Sequence, residues 1–579
     1  IFINTKTTAI TIIDSYDSSI TASQTIGKID KSHEPSIVNN IGSVTSQTIL
    51  KVAGFVDNLL VQNEDPTRSI NFSNGKYFID KLPNPAISLL TNTKKCSGCD
   101  LSYENLSGYD LSKVDLSNAN LTNTDFTNAN LSGANLAEAG LTKADFTGAT
   151  WVNGVSTCQP GSIGFCNFEF KVNSYTFKAQ REPSVSMDST GNFVVVWSSN
   201  YRDASGYGIY AQRYFSTGLA NGSEFRVNTN TTNKRTYITN KQRNISVSMD
   251  SIGDFVVTWV SINQDNPGNF DYGIFAQRYH SNGTTNGSEF RVNSYTTSHQ
   301  SSPEVAMDND GDFVVTWSGF GTGDISNGGV FAQRYKSDGV PNGSEFCLNT
   351  YTTGGQGGQS VSMDNNGNFV VTWQSYEENC VNNGYGGFNC DLGIYAQRYK
   401  SDGSQNGSEF RVNTYTTGHQ RYQSVSMDGD GDFVISWQSY QDGSGSGIYA
   451  QRYDSTGSVS GSEFRVNTYT TDYQSKVSVA MDNDGDFVVA WQSDNQDGSG
   501  SGIFTQRYKR DGAPNGSEFL VNTYTTKTQR NPTLAMDSTG NFIITWESVG
   551  FNGNRDVPAQ DGSGYGIYAQ KYNSSGIAY

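Results

Sequence analysis

The chain has 579 residues, with 39 Lys and Arg against 56 Asp and Glu and a formal net charge of −17. A surface this acidic repels phosphate backbones and argues against a nucleic-acid partner, and no apolar run is long enough to span a bilayer as a helix. Tyr (32), Phe (31) and Gly (62) are abundant, a composition that favours strands and turns and points to an all-β chain.

Residues 1–95 show no repeat and read as a small mixed or β region. IFINTKTTAITIID is rich in β-branched residues and predicts a strand. Ile49, Val52, Val56, Leu59 and Leu60 fall near one face over 42–62 and predict an amphipathic helix. Residues 1–15 are a candidate assembly segment that adds a strand to a neighbouring subunit. The start at Ile1, with no basic and apolar leader, is expected of a chain whose signal peptide has been removed or of an incomplete stretch.

Residues 96–167 hold four of the seven cysteines. Cys96/Cys99, Cys158/Cys166 and Cys380/Cys390 make three close pairs, and Cys347 is left over. A zinc site would need a second C-x-x-C and nearby His ligands, but the four histidines are scattered. Local disulfides in an oxidising compartment are the better reading, and they predict a secreted or cell-surface protein. Between these cysteines the chain repeats every five residues, centred on Leu101, Leu106, Leu111, Leu116, Leu121, Phe126, Leu131, Leu136, Leu141, Phe146 and Trp151. A small residue stands two places before most of the later centres, as at Ala119, Thr124 and Ala129. Period five suits neither a helix nor a flat strand; it predicts a short solenoid that buries the recurring apolar residue along its axis. The string resembles the pentapeptide-repeat family, and that resemblance implies a right-handed, four-sided β-helix. The family includes DNA mimics that rely on a long acidic rod; fewer than three coils here imply a spacer or cap.

Residues 168–579 repeat at a longer period. Trp197, Trp259, Trp317, Trp373, Trp437, Trp491 and Trp546 mark seven units. Each unit runs from SVSMD through D-x-x-G to FVVTW, then a Gly-rich loop, GIYAQRY, an NGSE turn and EFRVN. Four short strands joined by turn residues make one propeller blade. The EFRVN-like strand occurs once before any of these Trp residues, in FEFKVN at 168–173, and never after Trp546. That copy is expected to supply the outer strand of the last blade, closing a seven-bladed ring and removing its open sheet edges.

Several recurring groups are candidate sites. QDGSG loops at Asp442, Asp497 and Asp561, with DASGYG at Asp203, precede strands, so a phosphate-binding loop backed by a helix is excluded. They are turns whose glycines accept positive φ, or a ring of Asp at one mouth of the propeller, with the turn reading favoured. The D-x-D-G-D turns at Asp308/Asp310/Asp312, Asp428/Asp430/Asp432 and Asp482/Asp484/Asp486 offer alternating carboxylates suited to Ca²⁺, the candidate cofactor. All seven copies keep the first Asp and the Gly, so hairpin chemistry is the competing and favoured account. The recurrent Gln (180, 242, 300, 356, 420, 474, 529) is expected to tie neighbouring blades through a buried amide, and the Arg of AQRY to pair with the Glu of GSEF. Sequons at Asn221, Asn286, Asn342, Asn406 and Asn515 permit glycosylation. Tyrosines in the NTYTT connections could stack on sugars.

No nucleophile with a base, HExxH zinc motif, P-loop or paired-carboxylate site stands out from the repeat; its departures, the Cys380–Cys390 insertion, the 319–329 loop and the 549–559 insertion, carry no His, and no catalytic residue is expected. The array resembles large secreted bacterial repeat proteins bearing WQS…QDGSGxGIYAQRY and EFxVNT units. The resemblance implies a structural or adhesive surface protein that is not an enzyme, associating with itself or with other surface proteins and stabilised by calcium. A lectin-like, glycan-binding propeller is the second reading, and a polysaccharide-acting propeller enzyme the third.

Overall fold

The computed structural model describes residues 84–150 and 169–578 apart from short loop segments, the longest being 230–244, and places four strands between residues 48 and 81. Two compact units divide the chain, residues 1–155 and 156–579.

In the first unit, Thr48–Val52 pairs antiparallel with Val56–Val61, and Arg68–Ser73 with Lys76–Lys81. The helix predicted over 42–62 is therefore two strands. Thr48, Ile49, Val52, Val56 and Val61 are β-branched and stiff at χ1, and Gly54 would cost a helix interior about 1 kcal/mol. The strand predicted at 1–14 lies outside the described residues. A short helix, Pro85–Thr93, follows; Asn84 caps it, its Oδ1 accepting the Ala86 N–H at 3.0 Å. The solenoid comes next. Residues twenty apart bridge in parallel, as Lys95 with Asp115 and Asp110 with Asn130, which makes four five-residue units per coil. Leu101, Leu106, Leu111, Leu116, Leu121, Phe126, Leu131 and Phe146 are fully buried. Phe126 stacks on Phe146 one coil later at 5.0 Å. Cys96 and Cys99 form a disulfide.

The second unit is a ring of seven antiparallel units of four strands each, two of them joined by a short parallel pairing of Gly445 and Ser446 with Asp472 and Tyr473. Their innermost strands are Gln180–Met187, Ile245–Met249, Ser301–Met307, Gln356–Met363, Gln420–Met427, Asp472–Met481 and Thr528–Met536. Each packs on the next, and the last on the first. We number the blades one to seven in that order. The seven marker tryptophans are almost wholly buried. Closure occurs as expected: Phe170–Lys171 pairs antiparallel with Tyr565–Tyr572 of blade 7. Asn173 Oδ1 accepts the Ile567 N–H at 2.7 Å, as Asn228 does for Ile209 within blade 1.

Polar ties run between blades in the same sense all round the ring. Arg213, Arg278, Arg334, Arg398, Arg452 and Arg507 each donate to a backbone carbonyl in the next blade, that of Ser281, Ser337, Ser401, Ser455, Arg510 and Ser574. Lys571 of blade 7 completes the circuit at Ser216 of blade 1. The Glu of GSEF has a different partner. Glu289 accepts the Thr229 N–H at 2.7 Å, and Glu169 accepts that of Thr523 at 2.6 Å. The expected Arg–Glu pairing is thus two separate inter-blade ties. The recurrent Gln bonds in both directions: Gln300 Oε1 accepts Trp317 Nε1–H of its own blade at 3.1 Å, and Gln474 Oε1 accepts Asn467 Nδ2–H of the preceding blade at 3.2 Å.

Candidate functional site

The repeat is constant on either side of one tripeptide. Between the buried Gln and the fourth residue after it stand REP at 181–183, SSP at 301–303, GGQ at 357–359, RYQ at 421–423, SKV at 475–477 and RNP at 530–532. In all six blades the pairing register with the second strand breaks across this tripeptide, between Arg181 and Ser184 in blade 1 and at the matching places elsewhere. These are β-bulges. The middle residue of each is left-handed: Glu182 has φ 54°, Ser302 52°, Gly358 61°, Tyr422 56°, Lys476 56° and Asn531 52°. The corresponding residues of blade 2 lie outside the described residues. A left-handed backbone costs an ordinary L-residue roughly 1–2 kcal/mol. Glycine or asparagine would be the cheap solution, yet Glu, Tyr and Lys occupy three of the six.

The bulges line one mouth of the channel, where a cavity of about 580 Å³ opens. Three carboxylates line it: Glu182, Glu304 and Glu547. Arg181, Lys476 and Arg530 supply cations, and Tyr422 and Tyr565 supply rings. Two of the glutamates break the repeat without changing its length. Glu304 stands where the other blades have Ser or Thr at 184, 246, 360, 424, 478 and 533. That serine normally accepts the backbone N–H of the next blade's inner strand, as Ser424 does from Val479 at 3.2 Å. Glu304 is half-buried and accepts the Ser246 hydroxyl at 2.9 Å. Glu547 replaces the Ser, Val or Gln that follows the marker Trp in the other blades. It is buried and accepts Arg530 Nε–H at 2.9 Å, Asn531 Nδ2–H at 3.1 Å and the Glu182 N–H at 2.6 Å. Burial works against the Arg530 charge, but the Glu547 carboxylate outweighs it and holds the guanidinium above its ordinary range. Glu547 therefore fixes the Glu182 bulge and Arg530 together.

The cations lie on ring faces. Arg181 sits 4.1 Å and Arg530 5.3 Å from the Tyr565 centroid; Lys476 sits 3.9 Å and Arg421 5.0 Å from that of Tyr422. Phe177, Tyr376 and Tyr473 add half-exposed or more exposed rings on the connections and strand ends at the same end of their blades.

The residues singled out by the sequence fall elsewhere. Asp308, Asp428 and Asp482 lie at the other end of the inner strands, with Oδ1 accepting the N–H groups two and four residues on, those of Asp310 and Asp312, Asp430 and Asp432, and Asp484 and Asp486, at 2.9–3.0 Å. Asp312, Asp432 and Asp486 accept the N–H of Ser337, Ser455 and Arg510, while Asp310, Asp430 and Asp484 are exposed. Among the described residues no group of three His, Cys, Asp or Glu could hold a metal ion. Turn chemistry accounts for where these carboxylates stand. Of the QDGSG aspartates only Asp497 is described. Its Oδ1 accepts the Ser499 N–H at 3.1 Å, and burial raises its pKa. The Gln of that loop has a clearer role, with Gln264 donating to Glu289 at 2.7 Å and Gln496 to Glu518 at 2.6 Å. Cys158 is disulfide-bonded; Cys166, Cys380 and Cys390 lie outside the described residues. Cys347 keeps its thiol and donates to Asn349 Oδ1 at 3.4 Å. At the sequon turns Asn221, Asn286, Asn342, Asn406 and Asn515 donate their N–H to the Arg carbonyl of the third strand at 2.8 Å.

Comparison with known proteins gives the following. Residues 95–128 and 115–150 match the pentapeptide-repeat family, in 8 copies. No curated protein matches the chain. Among solved structures, a protein of unknown function from Dyadobacter fermentans aligns at 10% identity and TM-score 0.37, over 69% of this chain and 98% of that one. An α-L-arabinanase from Penicillium chrysogenum aligns at 15% identity and TM-score 0.38, over 59% and 96%. The polysaccharide lyase Uly1 aligns at 10% identity and TM-score 0.43, over 69% and 90%. The expectation of a structural or adhesive protein without enzymatic activity is corrected here. Two of these three structures are named as an arabinanase and a polysaccharide lyase, and the channel mouth holds three carboxylates.

Proposed function

We propose that the propeller acts on polysaccharide chains at the bulge-lined mouth of its channel and cleaves their glycosidic bonds. One observation carries the reading. Six blades hold the same left-handed bulge, at Glu182, Tyr422 and Lys476 against the preference of the residue, while the residue it presents differs in every blade. Strain retained at a cavity over a constant scaffold marks a working site. Cleavage of a glycosidic bond by water needs one carboxylic acid to protonate the leaving oxygen and one carboxylate to take a proton from the attacking water. The C–O bond breaks, the water oxygen joins the anomeric carbon, and the protons balance. Glu304 and Glu182 are the candidates for these roles. Glu547, buried and bonded to the Arg530 side chain and the Glu182 backbone, is a positioning residue. The tyrosines supply ring faces on which sugars stack.

The test is release of reducing ends from a polysaccharide panel. The wild type should cleave at least one polymer, and Glu304→Ser and Glu182→Gln should each lose about 100-fold or more, in line with loss of acid or base catalysis. Unaltered rates in both variants, or an inert wild type, would overturn the reading. A second reading, glycan binding without cleavage, is favoured by the exposed rings of Phe177, Tyr376 and Tyr473. Saturable binding with no reducing-end release would select it.

A further inference from the structure

We infer that the polymer taken at this mouth is anionic, a chain whose sugars carry carboxylate groups, and that blades 6, 7 and 1 read its charge. The inference rests on the site proposed above and deepens it. The cations of the mouth are not spread round the ring. Lys476, Arg530 and Arg181, the cations of the cavity lining, come from three consecutive blades, whereas the bulges of blades 3 and 4 contribute Ser302, Gly358 and Gln359. Within that three-blade arc the lining carboxylates are Glu182 and Glu547, so three cations against two anions leave +1, while Glu304 of blade 3 brings the whole lining to neutral, on a chain whose net charge is −17. Long-range repulsion alone would keep an acidic polymer away; a locally positive wall in a cavity is what admits one.

The placement of these cations supports the same conclusion. Arg181 and Arg530, from neighbouring blades, both lie against the ring of Tyr565. Two guanidiniums on one ring repel each other, and of the two it is Arg530 that donates to Glu547. An anion arriving between them would relieve that repulsion. A sugar carboxylate is planar and accepts two parallel N–H bonds from a guanidinium, a match that a neutral hydroxyl lacks. Lys476 is held 3.9 Å from the Tyr422 centroid, so a second carboxylate could meet charge and ring together.

The probes are polygalacturonate and alginate, their methyl-esterified or propylene-glycol-esterified forms, a sulfated carrageenan and neutral arabinan, with binding read by affinity electrophoresis or calorimetry. The wild type should bind at least one carboxylated polymer about tenfold or more tighter than its esterified form, and about 0.3 M salt should weaken that binding. Arg181→Gln and Lys476→Gly should each lose about tenfold on the carboxylated polymer and little on the ester, with melting temperatures showing both variants folded. Equal affinity for acid and ester, preference for carrageenan or arabinan, or no binding to any carboxylated polymer would overturn the inference. Cleavage confined to neutral arabinan would overturn it while leaving the proposed function standing. Charge-selective binding with no cleavage would do the reverse.

Discussion

Lysine, tyrosine and glutamate seldom accept a left-handed backbone, and at Lys476, Tyr422 and Glu182 they do so around one mouth. Their cost is testable as stability. Glycine at position 476 relieves the strain but gains freedom in the unfolded chain, so Lys476→Gly should be neutral to about 0.5–1 kcal/mol more stable in urea. A loss above about 1 kcal/mol would sink the strain argument. Glu304→Ser restores the residue type of five other blades and should likewise keep or raise stability while removing cleavage, the trade-off expected of a group retained for function. This part of the site was written in the sequence but hard to see there. The informative positions are length-neutral replacements inside the repeat, visible once the six tripeptides are aligned on the buried Gln. That the fourth residue of this stretch faces a cavity depends on the bulge, which shifts the inward–outward alternation and cannot be counted from period two.

The inner hairpins show how an element can be read correctly and its ionisation missed. The D-x-D-G-D turns form where the sequence placed them. Burial raises the pKa of Asp308 and Asp482 to about 6, above the 3.8 of an ordinary carboxyl. The fold therefore favours their protonated form. Their contribution to stability is full below about pH 3.8 and is lost as pH rises through about 6. The side-chain amide of an Asp482→Asn variant would keep an oxygen for the N–H groups of residues 484 and 486 and could not ionise. The variant's melting temperature should exceed that of the wild type at pH 7 and converge on it below about pH 3.8; a pH-independent difference would contradict the assignment. The strands at 48–61 are the opposite case. Apolar spacing suggested a helix, and β-branching together with Gly54 decided otherwise.

At the scale of the ring, closure was the most legible property of the chain, because it follows from the order of the copies and needs no geometry. What counting could not supply is the circuit of ties, six arginines and one lysine, each reaching into the next blade. Nor could it show the clamp of Asn173 on Ile567. Asn173→Ala leaves that buried N–H without its acceptor and should cost about 1–3 kcal/mol, read as a lower urea midpoint; a change under about 0.5 kcal/mol would show the seam to be held by other contacts.

The Asn173–Ile567 bond joins residues 394 apart in the chain. At roughly 5–20 residues per second of synthesis, Phe170–Lys171 leaves the ribosome about 20–80 s before its partner strand exists. Six sheets can assemble as they are made, each from neighbouring sequence. The seventh waits for the far end, and until then the growing array carries a bare strand edge of the kind that recruits other chains. The seam that finishes the ring is thus also the interval in which a nascent chain is most open to aggregation, and the step at which a chaperone would act.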